Sequence, residues 1–144
     1  MGQAAIIKIM IQEKNAMNNE FDIREKILYK YTGNETTVVI PNSVHIIHEK
    51  AFRYCSTIVS VEVPNSVTRI EWGAFSFCEN LEQLIIPPSV NFISISAIEG
   101  STKLKSIIIG GSKYYYAKGN QIFSVDDKNT VISIDILKLS LIHI

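Results

Sequence analysis

VVIPNSVHIIHEKAFRYCSTI, residues Val38 to Ile58, is followed by VEVPNSVTRIEWGAFSFCENL from Val61 and by LIIPPSVNFISISAIEGSTKL from Leu84. Written in register, the three stretches repeat one text. Pro41, Pro64 and Pro87 stand 23 residues apart, and the same interval separates Ser43, Ser66 and Ser89, Val44, Val67 and Val90, Ile47, Ile70 and Ile93, and Ala51, Ala74 and Ala97. A strict period of this length marks a stacked solenoid with one coil per copy. The repeat region runs from Val38 to Ile109, where a fourth copy opens.

Each copy contains its own stop signal. The residue before proline is apolar (Ile40, Val63, Ile86), and two places earlier stand Val38, Val61 and Leu84, followed by Ile107 in the fourth copy. This period-2 pair predicts a short strand with one face inward, which proline ends because it has no N–H to extend a ladder. Parallel coils stack about 4.8 Å apart, so like positions meet like positions. Ala51-Phe52 and Ala74-Phe75 predict a short helical turn on the convex side, with phenylalanine filling the coil. A helix-only architecture is ruled out by a proline in every copy. The third copy is worn: Ile98 replaces phenylalanine, Ser101 replaces cysteine, and Ser94 and Ser96 dilute the turn.

Outside the array the pattern changes. Phe21 and Ile23, then Ile27, Tyr29 and Tyr31, alternate with polar residues, and TGNE at 32–35 supplies a turn. Residues 20–36 therefore read as an N-terminal β cap, needed because an end coil would expose its apolar face and edge. After Gly110-Gly111, the segments Tyr114–Tyr116, Gln121–Val125 and Thr130–Ile136 read as strands separated by KGN and DDKN turns. The expected division is thus a solenoid at 37–111 and a C-terminal β cap at 112–138. Residues 1–19 read as a leader or misassigned start, with a docked extra element as the other reading. Ala4–Ile11 is apolar but too short and too β-branched to announce a helix, and Asn15, Asn18 and Asn19 suggest a linker. The final LSLIHI, residues 139–144, resembles translated sequencing adapter and is expected to be a non-native tail.

The repeat text IPNSVxxIxxxAFxxCxxL resembles the BspA-type leucine-rich repeat over about residues 36–111, and the flanks LYKYTGNETTVVIP and NQIFSVDDKNTVIS resemble the hairpins that border such arrays. The resemblance implies a repeat solenoid, mainly β, curved, with strands lining one face. It also implies a protein-interaction role, often adhesin-like on microbial surfaces, and brings no catalytic residues with it.

Composition agrees with a folded domain. Of 144 residues, 47% are hydrophobic and 19% charged, and 14 basic side chains balance 14 acidic ones. Without a basic block there is no electrostatic footprint for nucleic acid or an anionic membrane, and no apolar run reaches the roughly 18 residues of a membrane span. MGQAAIIKIMIQEKN lacks the cationic leader of a secretory signal. Location divides accordingly: secreted or cell-surface as the resemblance implies, cytoplasmic if the chain is complete.

Few residues suggest chemistry. Cys55 and Cys78 lie one period apart and read as a buried thiol ladder; parallel side chains suit a disulfide poorly, and two thiols without nearby histidines do not make a zinc site. His45 and His48 align with Thr68 and Glu71 and read as solvated. Asp126, Asp127 and Asn129 lack the glycine and closing glutamate of a calcium loop and read as a hairpin turn. No catalytic, cofactor or metal residues are nominated. Candidate partner-binding residues are the outward strand positions Val39, Glu62, Gln83, Ile85 and Ile108, together with Trp72, which faces Ile95 on the next coil. The expected function is a monomeric, non-catalytic module that binds a protein, such as a host or neighbouring-cell surface protein. A spacer cut from a longer array is the alternative, and an enzyme the remote one.

Overall fold

A computed structural model describes residues 2–17, 20–127 and 130–135. The elements are α1 (Gln3–Met17), β1 (Phe21–Arg24), β2 (Ile27–Tyr31), β3 (Thr37–Val39), β4 (Ile46–Ile47), β5 (Ser60–Glu62), β6 (Arg69–Ile70), β7 (Gln83–Ile86), β8 (Phe92–Ile93), β9 (Ser106–Ile109), β10 (Tyr115–Lys118), β11 (Gln121–Ser124) and β12 (Val131–Ile132). The predicted strands are β3, β5, β7 and β9, which form one parallel sheet in that order. Val38 pairs with Val61, Val61 with Leu84, and Leu84 with Ile107. The period-23 alignment is therefore the hydrogen-bond register itself.

A second sheet, β1-β2-β4-β6-β8, follows the proline turn of each coil. Its strands are two residues long in the coils, too short for an alternation to be visible in the sequence. The proline turn is closed by Val44 N–H donating to Pro41 O at 3.1 Å, by Val67 to Pro64 at 3.1 Å and by Val90 to Pro87 at 3.3 Å. Proline has no donor to lose here, and its carbonyl accepts, so the turn accommodates a proline in every copy.

The Ala-Phe segments form tight turns with i→i−3 bonds, including Ala51 N–H to His48 O at 3.2 Å and Arg53 N–H to Lys50 O at 3.1 Å. Coil-to-coil bonds join them at alternate residues: Lys50 N–H to Trp72 O, Phe52 N–H to Ala74 O and Tyr54 N–H to Ser76 O. A ladder of large side chains runs from coil to coil through the core. Phe21, Tyr31, Phe52 and Phe75 stack in sequence, with centroids 5.0, 5.2 and 5.0 Å apart, and fully buried Ile98 occupies the next position.

Both ends borrow the coil geometry. The β1–β2 hairpin is antiparallel, but β2 runs parallel to β4, and Tyr31 N–H donates to Ala51 O at 3.0 Å. In β2 the fully buried residue is Leu28, with Ile27 and Tyr29 on the outer side. At the far end β10, β11 and β12 form an antiparallel sheet, Gly100 N–H donates to Ile134 O, and Ile107 N–H donates to Gly119 O. Residues 136–144, including the expected non-native tail, lie outside the described residues, as do Lys128 and Asn129 of the acidic turn.

The first segment, too β-branched to announce a helix, forms α1. Its Ala, Lys, Gln, Glu and Met residues are good helix formers that the reading of the isoleucines outweighed, and most of its side chains from Gln3 to Met10 remain exposed. No helix among the described residues is long and apolar enough to cross a membrane.

Candidate functional site

Strand alternation turns residues 37 and 39, and their equivalents 23, 46 and 69 positions on, away from the core. Of the predicted row, Glu62, Gln83 and Ile85 are half-buried and Ile108 is 47% exposed. Ile85 pairs with Ile108, and Gln83 with Ser106, so the row is continuous between coils. Ser60 Oγ donates to Gln83 Oε1 at 3.2 Å and fixes the amide.

Val39 corrects the sequence reading. It is buried, because α1 crosses the first coil beside it. Lys8 Nζ reaches Glu62 Oε1 at 2.8 Å, Gln12 Nε2 donates to Ile40 O at 3.0 Å, and Asn42 N–H donates to Gln12 Oε1 at 2.9 Å. A partly open cavity of about 180 Å³ lies at the seam, its lining including Ile11, Phe21, Tyr31 and Val39. One end of the row is therefore already occupied by the chain's own helix.

A second outward surface lies on the turns after β4, β6 and β8. Trp72 is 44% and Ile95 47% exposed, as neighbours on adjacent coils. Beside them are two residues the sequence reading missed, Tyr54 and Phe77, with rings stacked at 5.3 Å and exposures of 65% and 37%. Arg53 Cζ stands 4.9 Å from the Tyr54 centroid, 5.5 Å from Phe77 and 5.6 Å from Trp72; Lys50 Nζ is 4.7 Å from Trp72. The available signal was the alignment of Tyr54 and Phe77 with Gly100: two aromatic rings at a position that otherwise takes glycine.

The residues with latent chemistry are accounted for by packing. Cys78 is buried, its Sγ donates to Phe52 O at 3.1 Å, and burial pushes the thiol up to about 12. Ser101 repeats the contact one coil on, donating to Phe75 O at 2.6 Å and accepting from Cys78 N–H at 3.0 Å. Cys55 is only half-buried, so the thiol ladder expected from spacing has one fully buried member; both cysteines are free. His45 is exposed, whereas His48, expected to be solvated, packs its ring against Tyr29 at 4.7 Å. A groove lined by Ile27, Ile46, His48, Glu49 and Glu71 lies beside it, where Glu71 is paired with Arg69 at 2.8 Å. No cluster of three or more His, Cys, Asp or Glu among the described residues is placed to hold a metal ion.

Comparison with known proteins places this architecture. No curated protein matches the chain. Similar solved structures include a leucine-rich cell surface protein from Faecalibacterium prausnitzii, 25% identical over 76% of this chain and 38% of that one, with a TM-score of 0.33. A leucine-rich repeat protein from Eubacterium ventriosum is 17% identical, covering 68% and 41% at a TM-score of 0.33. One from T. pallidum is 16% identical, covering 62% and 79% at 0.32. The chain thus spans about two fifths of the length of the first two. The model of the BspA type leucine rich repeat region matches six copies over residues 22–136, taking in both capping segments as well as the regular coils. The chain belongs to the BspA-type leucine-rich repeat family.

Proposed function

We propose that this protein is a non-catalytic, adhesin-like interaction module that receives a segment of another protein on its outer strand row. The family supports a protein-interaction repeat module. The observation that carries the finer reading is the seating of α1. A helix with apolar residues on several sides is held against the first coil through the Lys8–Glu62 ion pair and the amide hydrogen bonds of Gln12. The row beyond it, Gln83, Ile85, Ser106 and Ile108, has the same strand geometry, and among the described residues no helix is seated on it. Ile85 and Ile108 supply an apolar centre, and Gln83 and Ser106 a polar margin, the usual division of a binding surface.

A photocrosslinker placed at Ser106, exposed to surface proteins of host or neighbouring cells, is expected to form discrete adducts that Ile85→Glu with Ile108→Glu abolishes. No adducts, or the same adducts with both proteins, would sink this proposal in favour of a spacer without a site.

A further inference from the structure

Tyr54 and Phe77 adopt φ of +61° and +53°, and the equivalent Gly100 has φ +75°. This is left-handed backbone, which disfavours any residue carrying a Cβ. Two of three coils nevertheless hold an aromatic ring there, and both rings remain substantially exposed. The arrangement seals little of the core, since Phe52 and Phe75 already fill the coil beneath. Backbone strain retained at an exposed surface is the kind that clusters at ligand-binding sites.

The cation held by the rings indicates what kind. Arg53 lies among Tyr54, Phe77 and Trp72; its Nη2 donates to Tyr54 Oη at 3.3 Å, and its Nε is buried with no acceptor. Lys50 lies over Trp72. Among the described residues neither cation has a carboxylate partner: Glu49, adjacent to Lys50, and Glu99, two coils along from Arg53, form no ion pair with them. Stacking orients a guanidinium while leaving its edge free for a carboxylate.

We propose that Lys50, Arg53, Tyr54, Trp72, Phe77 and Ile95 form a docking surface for an acidic peptide segment of a partner protein that also carries aromatic or leucine side chains. The carboxylates meet Arg53 and Lys50, and the apolar side chains lie on the rings and Ile95. Four large apolar groups with two cations suit a peptide better than a polyanionic glycan, which calls for an extended cationic array. The assignment rests on the interaction-module reading but uses a surface separate from the strand row.

Trp72 is the sole tryptophan, so its emission reports on this surface directly. The full chain is titrated with the tryptophan-free peptide Ac-EELFEEL-amide, with its lysine counterpart Ac-KKLFKKL-amide, and with heparin. A saturable change with the acidic peptide is expected, weakened by salt and absent with the basic one. Arg53→Gln and Tyr54→Gly are each expected to lower the affinity roughly tenfold or more. Tyr54→Gly suits the left-handed backbone, so its loss of binding is not a loss of fold; unchanged circular dichroism checks this. Ile85→Glu with Ile108→Glu leaves the response intact, which separates this surface from the strand row. No saturable change, an equal response to the basic peptide, a response to heparin alone, or unweakened binding by both Arg53→Gln and Tyr54→Gly overturns the proposal.

Discussion

Cys78 and Ser101 occupy the same place in successive coils and make the same bond, each donating to the carbonyl of the phenylalanine 26 residues earlier. The position selects a small buried donor, and sulfur is one of two ways to supply it. Cys78→Ser is therefore expected to change stability by no more than about 1 kcal/mol, measured by urea denaturation near neutral pH. Its effect lies at alkaline pH. An unfolded thiol ionises near 9.0, while burial holds the folded one at about 12. Between those values the unfolded chain loses a proton that the folded chain keeps, so stability falls as pH rises. Cys78→Ser removes the part of that fall beginning near pH 9. Tyr31, also raised by burial, retains its own contribution above about pH 10. A urea midpoint falling equally in both proteins between pH 8 and about 10 would show that Cys78 is not responsible. Phe75 makes a different case at the same scale. It is fully buried between Phe52 and Ile98, and Phe75→Ala is expected to cost about 3–5 kcal/mol. An unchanged melting temperature would remove Phe75 from the core.

Elements differ in how plainly the sequence announces them. The strands β3, β5, β7 and β9 are marked by an apolar pair and a proline, a signal carried by the residues that form them. The two-residue strands β4, β6 and β8 have no such mark, because their regularity comes from the neighbouring coil. α1 is the extreme case. Its β-branched run reads poorly as a helix, and it is held by residues far away in sequence, Lys8 to Glu62 and Gln12 to Ile40 and Asn42. The Lys8–Glu62 pair is exposed and stabilises by well under about 1 kcal/mol. Gln12, which both donates and accepts, is the stronger tie. Gln12→Ala is expected to loosen α1 and cost about 1–2 kcal/mol of docking, with faster hydrogen exchange at Asn42 and unchanged exchange at Phe52 and Phe75. If the Asn42 amide exchanged no faster, the Gln12 contact would not be holding the helix.

For the whole molecule, energetics follow from stacking. Each coil buries its ladder against the next, so stability is close to a sum of coil and interface terms. The caps close the ends with real coil bonds, Tyr31 to Ala51 at one end and Gly100 to Ile134 at the other. Duplicating residues 64–86 in tandem adds a coil and an interface without adding an end. The expected result is a higher urea midpoint and a steeper transition, since more surface is exposed on unfolding; a lower midpoint would mean that the caps are matched to this number of coils. The sequence by itself determined the period, the strand register and the buried ladder, because in a solenoid each coil's neighbour is a copy of its own text. Only the tertiary structure decided that Val39 is covered while Ile108 is open, and that Tyr54, Phe77 and Trp72 gather around Arg53. Burial of the core recurs with the repeat, whereas occupancy of the surface depends on turn geometry and on segments as distant as α1, which the period does not encode.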